Sequence, residues 1–267
     1  MNRALFRQTW RAQRLKLAVV STALVVWGFL MPLIYARFGS QFRAIVESGI
    51  VPEQLAKFGG GDIFSLQGSI ALGFIHPIAI ILTSVFSVGF SAGAIAGERQ
   101  RGTLEVALAR PIARRTFYLT LLEAAFGFVG VTIAALLAGA AVGAAFAGVG
   151  GEFPFRHVPL LWLNGVFLFG AFTAVGLAAS ASFDRVAPAL GVTLGFVVLM
   201  YFLDILGSLW PAAERLQAYS LFHYLKAKAI LVGRAAPIDL AILATVIAAA
   251  VAWALVVFPR RDLAAPS

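Results

Sequence analysis

Six stretches of this chain are each long and apolar enough to cross a lipid bilayer as helices, and nothing else in the sequence constrains the fold as strongly. A hydrocarbon core about 30 Å thick takes roughly 20 helical residues. The runs 17–36, 70–96, 117–149, 159–181, 190–210 and 238–258 meet that length with almost no charge inside them. Composition agrees: 61% of the 267 residues are hydrophobic, 12% are charged, and the mean hydropathy is +0.91. So few charges cannot cover the surface of a water-soluble globule of this size. Segments of this length satisfy their backbone polar groups in lipid only as helices. The expected fold is an all-α integral membrane protein with six transmembrane helices. Residues 1–16 form an amphipathic interfacial helix, and 17–267 form the transmembrane domain.

Charge orients the bundle. An even number of spans puts both termini on one side. That side carries thirteen Lys and Arg residues, among them Arg3, Arg7, Arg11, Arg14, Arg99, Arg101, Arg110, Arg114 and Arg115, against eight on the other. Glu47, Glu53, Asp62, Glu152, Glu214 and Asp239 fall on the poorer side. Both termini are therefore expected in the cytoplasm of a bacterium or archaeon, with the spans in its cytoplasmic (inner) membrane. This asymmetry accounts for the net charge of +9 with no nucleic acid as partner. The first apolar run is too long for a cleaved signal peptide and reads as a retained helix.

At 100° per residue Arg3, Arg7, Arg11 and Arg14 form one stripe of the first sixteen residues, opposite Leu5 and Ala12. Such a helix lies on anionic lipid, with Phe6 and Trp10 at interfacial depth. The outer segment 37–69 holds a helical candidate at 41–58, broken at Pro52 and followed by the turn Gly59-Gly60-Gly61-Asp62. The outer segment 211–237 is partly apolar and is expected to fold back against the membrane, or to serve as a lid or meet an outer-side partner protein. Glycines four apart (Gly89, Gly93 and Gly97; Gly139 and Gly143; Gly191 and Gly195) predict close helix packing within a bundle or at a dimer seam.

Little in the chain suggests catalysis. It has no cysteine and no Gly-Lys pair, hence no thiolate chemistry and no P-loop. Its three histidines lack metal-ligand spacing. The segment 89–93 matches the Gly-x-Ser-x-Gly pattern around Ser91, but within an apolar helix rather than at a strand-to-helix turn. An intramembrane serine protease would need Ser91 together with His223 or His76, and an ion-coupled carrier would need a relay. Three ionisable residues lie inside spans and are candidates for the substrate path: His76, Glu123 and Asp204. His76 precedes Pro77, where a freed backbone carbonyl offers it a partner.

The deciding stretch is the inner loop 97–116. Leu104, Leu108 and Ile112 recur every four residues, which describes a short amphipathic helix that Thr103 can cap and that stops before Pro111. Such a stripe suits a segment pressed against a soluble partner.

Here the sequence resembles the permease subunits of type-2 (ABC-2) ABC exporters. The resemblance rests on Glu98, on Gly102-Thr103-Leu104-Glu105, on Arg110-Pro111 and on the basic pair Arg114-Arg115, in the expected inner loop of a six-span basic chain. It extends to the amphipathic start and to Leu221-Phe222-His223-Tyr224 before the last span. It implies a subunit with no catalytic residues that pairs with a second permease copy and recruits a separate ABC ATPase subunit. ATP and Mg2+ would be bound by that partner and not by this chain. By the same resemblance Glu98, Gly102, Thr103, Leu104, Glu105, Leu108 and Arg110 form the ATPase-docking surface. Arg114 and Arg115, with the N-terminal arginines, anchor to lipid headgroups. The apolar spans fit lipid-like or amphiphilic cargo.

Overall fold

The computed structural model describes residues 2–48, 62, 64–109 and 112–261. These are helices and their connections, with no β-strand among the described residues. Helix α1 (Arg3–Glu47) starts where the Asn2 side chain accepts the Leu5 N–H at 3.0 Å. A bent pair follows: α2 (Leu66–Ile75), then α3 (Pro77–Ser84), continuing through a π-helical stretch (Val85–Phe90) into α4 (Ser91–Gly93). The inner connection holds α5 (Ala96–Gln100) and α6 (Leu104–Leu108). Then come α7 (Arg114–Phe146), α8 (Val158–Ser182) and α9 (Val186–Leu209). Short 3-10 turns lead through α10 (Ala227–Leu231) to α11 (Pro237–Arg260).

Five helices are long and apolar enough to span a bilayer, and the pair Leu66–Ile75 and Pro77–Gly93, bent by 48°, makes up to six. Two expectations need correction at the first helix. Residues 1–16 and 17–36 were expected as separate elements, whereas α1 runs unbroken through both and on to Glu47, about 68 Å at 1.5 Å per residue. Arg14-Leu15-Lys16-Leu17-Ala18 are all strong helix formers, with no cap or breaker among them. Part of the 37–69 connection is thus a continuation of α1; Pro52 and Gly59-Gly60-Gly61 lie outside the described residues.

The long central helix α8 is buried along most of its length and packs against α7, α9, α11 and the second span. Helix α1 lies along α7. Asn2 N–H donates to Thr120 Oγ1 at 2.9 Å, Trp10 stacks on Phe128 at 4.8 Å, and Gly139 and Gly143 abut the carbonyls of Val25 and Phe29. The paired numbers rise together, so α1 and α7 run parallel. Trp162 Nε1 bonds Gly130 O while Gly170 meets Phe126, so α8 runs antiparallel to α7. This is the alternation that successive spans require. Helix α9 buries only a narrow stripe (Ala189, Thr193, Val197, Met200, Asp204, Gly207).

The bend in the second span follows from Pro77. A proline has no N–H, so the carbonyl of Gly73 loses its helical donor. Trp27 Nε1 of α1 supplies the bond at 2.9 Å, and its ring stacks on His76 at 4.6 Å. His76 plays a different part from the one expected: its Nδ1 accepts the Ile78 N–H at 3.3 Å, capping α3 instead of donating to the freed carbonyl. Segment 211–236 folds back onto the bundle, with Leu221, Phe222, Leu225, Ile230 and Leu231 buried and Ser220 Oγ donating to Met200 O at 2.6 Å.

Candidate functional site

The inner connection is built from the end of the second span. Ser180 Oγ of α8 accepts the N–H groups of Ile95 and Ala96, both at 2.9 Å, fixing the turn into α5. Arg99 on α5 is buried and pairs with Asp184 at 2.8 Å; Asp184 also takes Arg261, at 2.8 Å, beyond the last helix. Gln100 Oε1 accepts the Val186 N–H at 3.0 Å, satisfying an orphan donor at the start of α9. Gly102 then turns the chain with φ +71°, a left-handed conformation natural to glycine.

Thr103 does not cap α6 as expected. Its backbone is already helical, so its hydroxyl turns back to donate to the Glu98 carboxylate at 2.6 Å, while Arg101 pairs with the same carboxylate at 2.5 Å. The apolar stripe also points differently. Leu104 is 1% exposed, packed with Ile95, Phe117, Tyr118, Leu177 and Phe258, and Leu108 and Ile112 lean on the same core. The face left in the open carries Thr103, Glu105 and Val106, the last 71% exposed. Helix α6 ends at Leu108; Arg110 and Pro111 lie outside the described residues.

Arg3, Arg7, Arg11 and Arg14 all point outward along α1, and Arg115 is exposed. Arg114 is half-buried and donates to the carbonyls of Pro259, at 3.0 Å, and Arg261, so it clamps the C-terminal end of α11. Between α1 and the loop lies a groove of about 900 Å³ bordered by Gln8, Gln13, Phe90, Glu98, Arg101 and Val106.

The remaining candidates are dispersed. Ser91 is fully buried against Gly176 and donates to Ser87 O at 2.6 Å, a packed helix hydroxyl with no exposed nucleophile elbow around it. Glu123 lies on the exposed face of α7 and forms no ion pair with any described residue. Asp204 is 6% exposed and lines a cavity of about 440 Å³ at the fold-back 211–236, together with Gln217, His223, Lys226, Lys228 and Arg234. Burial, then the neighbouring Lys226, pushes the His223 imidazole below its ordinary value, with Asp239 opposing, which favours its neutral form. His76 does not line this cavity.

Sequence reasoning missed the framework of Ser180, Asp184, Arg99 and Gln100. Arg99 reads as one more inner-side charge, and an ion pair spanning 85 residues leaves no periodic trace.

Comparison with curated proteins gives no match. The sequence model of ABC-2 family transporter proteins matches residues 13–263, which takes in every candidate span, the inner loop and the fold-back. The chain belongs to the ABC-2 family of transporter proteins.

Proposed function

We propose that this membrane component of an ABC transporter is an exporter permease that docks a separate ATPase through the open face of α6 and works as a dimer. The observation that carries the reading is the division of labour in the inner connection. Gly102, Thr103, Glu105 and Val106 are presented outward with Glu98 half-buried beneath them, while Leu104 and the Arg99–Asp184–Arg261 pairs bind the same short segment to α7, α8 and the ends of α9 and α11. A push on α6 then moves several span ends as one body. ATP and Mg2+ would be held by the partner, and this chain supplies no catalytic group. Nucleotide drives the cycle only insofar as it binds one conformation better than the other.

The second copy would sit against α9. Gly191 and Gly195 have nothing within 4 Å of where a Cβ would stand, and Leu194, Val198 and Phe202 are exposed beside them. Small residues flanked by apolar ones allow close approach between helices in lipid. The arginine-rich start of α1 would hold the inner leaflet, and the charge asymmetry supports cytoplasmic termini.

Docking is tested by capture of the ATPase on the detergent-solubilised chain. Val106→Asp should abolish capture while leaving the unfolding midpoint unchanged. Undiminished capture by this variant would remove the α6 face from the mechanism.

A further inference from the structure

The cavity at the fold-back has an unusual charge arrangement. Asp204, nine-tenths buried on α9, forms no ion pair and no side-chain hydrogen bond with any described residue. Three residues earlier on the same helical face, the Tyr201 hydroxyl is buried with no hydrogen-bond partner among the described residues. A carboxylate in that position calls for a cationic or hydrogen-bond-donating partner. The lysines at the cavity do not supply it: Lys226 pairs with Asp239 at 3.1 Å and Lys228 pairs with Asp62. What remains is one buried carboxylate and, at the rim, the exposed guanidinium of Arg234, which forms no ion pair with any described residue. Phe222, Leu225 and Val232, which also line the cavity, are apolar.

A lone cation would leave Arg234 unanswered, and a lone anion would be repelled by Asp204. The complement is a zwitterion with its positive group inside and its negative group outside. Its surroundings favour a lipid over a free solute. Its lining takes in Ala71 and Ile75 of α2 and Asp204 of α9, so the cavity sits among helices long and apolar enough to span a bilayer, where a lipid headgroup is at hand. The volume of about 440 Å³ is in the range of small-molecule sites.

We propose that this cavity binds the headgroup of an aminophospholipid, its primary ammonium on Asp204 and its phosphate at Arg234. That the bound lipid is cargo rests on the export reading; that it binds does not.

The test uses the full chain, delipidated in detergent, titrated with phosphatidylethanolamine and phosphatidylglycerol by native mass spectrometry, with thermal unfolding as the fold control. Phosphatidylethanolamine should bind at least about tenfold more tightly. Asp204→Asn should erase that preference, and Arg234→Gln, on the exposed rim, should weaken both lipids several-fold. Equal binding of the two lipids, or a preference that survives Asp204→Asn, overturns the proposal. Should Asp204→Asn not fold, Arg234→Gln decides: unchanged phosphatidylethanolamine binding overturns it. Soluble phosphoethanolamine competing as well as the lipid would overturn the assignment to a lipid. None of these readings needs the ATPase. Failed ATPase capture with intact lipid preference sinks only the docking, and the converse sinks only this site.

Discussion

At the scale of single residues, the most informative contacts repair defects that the sequence itself creates. Pro77 frees the Gly73 carbonyl, and Trp27 answers it from a different helix. Trp27→Phe keeps an aromatic ring against His76 but removes the indole donor. The buried carbonyl then loses its bond, and thermal unfolding in detergent should report a loss of about 1–3 kcal/mol. Asp62 is a second case. Burial alone would raise its carboxyl, but Lys228, the Phe64 N–H and the Ser65 hydroxyl outweigh it and hold the group below its ordinary value of 3.8. A lowered folded value means the unfolded chain takes up the proton first. The tether between the start of α2 and the fold-back therefore contributes fully above the ordinary carboxyl value and is lost as pH falls through the folded one. The unfolding midpoint should drop on acidification in that window, and Asp62→Asn should flatten the drop.

Elements show where packing overrides pattern. The stripe Leu104, Leu108 and Ile112 was legible as an amphipathic turn, but its direction was not. Periodicity says that a face is apolar, not whether it turns toward the chain's own core or toward a partner. With Leu104 seated among Phe117, Leu177 and Phe258, Leu104→Asp should collapse the inner connection and lower the unfolding midpoint, in contrast to the silent effect expected for Val106→Asp. The glycines separate in the same way. A Cβ at Gly143 would run into the backbone carbonyl of Phe29, which cannot yield as a flexible side chain would. Gly143→Val should part α1 from α7 at a cost of about 1–3 kcal/mol, measured by unfolding.

For the whole molecule, Gly191→Val is the counterpart. Nothing stands within 4 Å of that position, so subunit stability should stay within about 0.5 kcal/mol. Cross-linking in membranes should nevertheless show the dimer lost; a dimer that persists would move the seam away from α9. Most of the architecture could be anticipated because lipid imposes length and polarity on each span separately, and both are local properties of the chain. The all-helical build with five or six apolar spans was readable on that basis, whereas segment 211–237, expected against the membrane, packs on the bundle instead. The continuity of α1 through Lys16 and Leu17 was misjudged because a polar-to-apolar change resembles a boundary, whereas helix propensity crosses it without interruption.

By itself the sequence determined that the chain is helical, that it carries membrane spans, and which loop resembles a coupling element. Length, apolar content and motif spacing are written in consecutive residues. Only the tertiary structure decided that Arg99 joins Asp184 and Arg261 under that loop, that Trp27 repairs the break at Pro77, and that Asp204 faces a cavity with no counter-charge in contact among the described residues. Those pairings join residues far apart in the chain, and their energies depend on distance and burial, which exist only after the helices have packed.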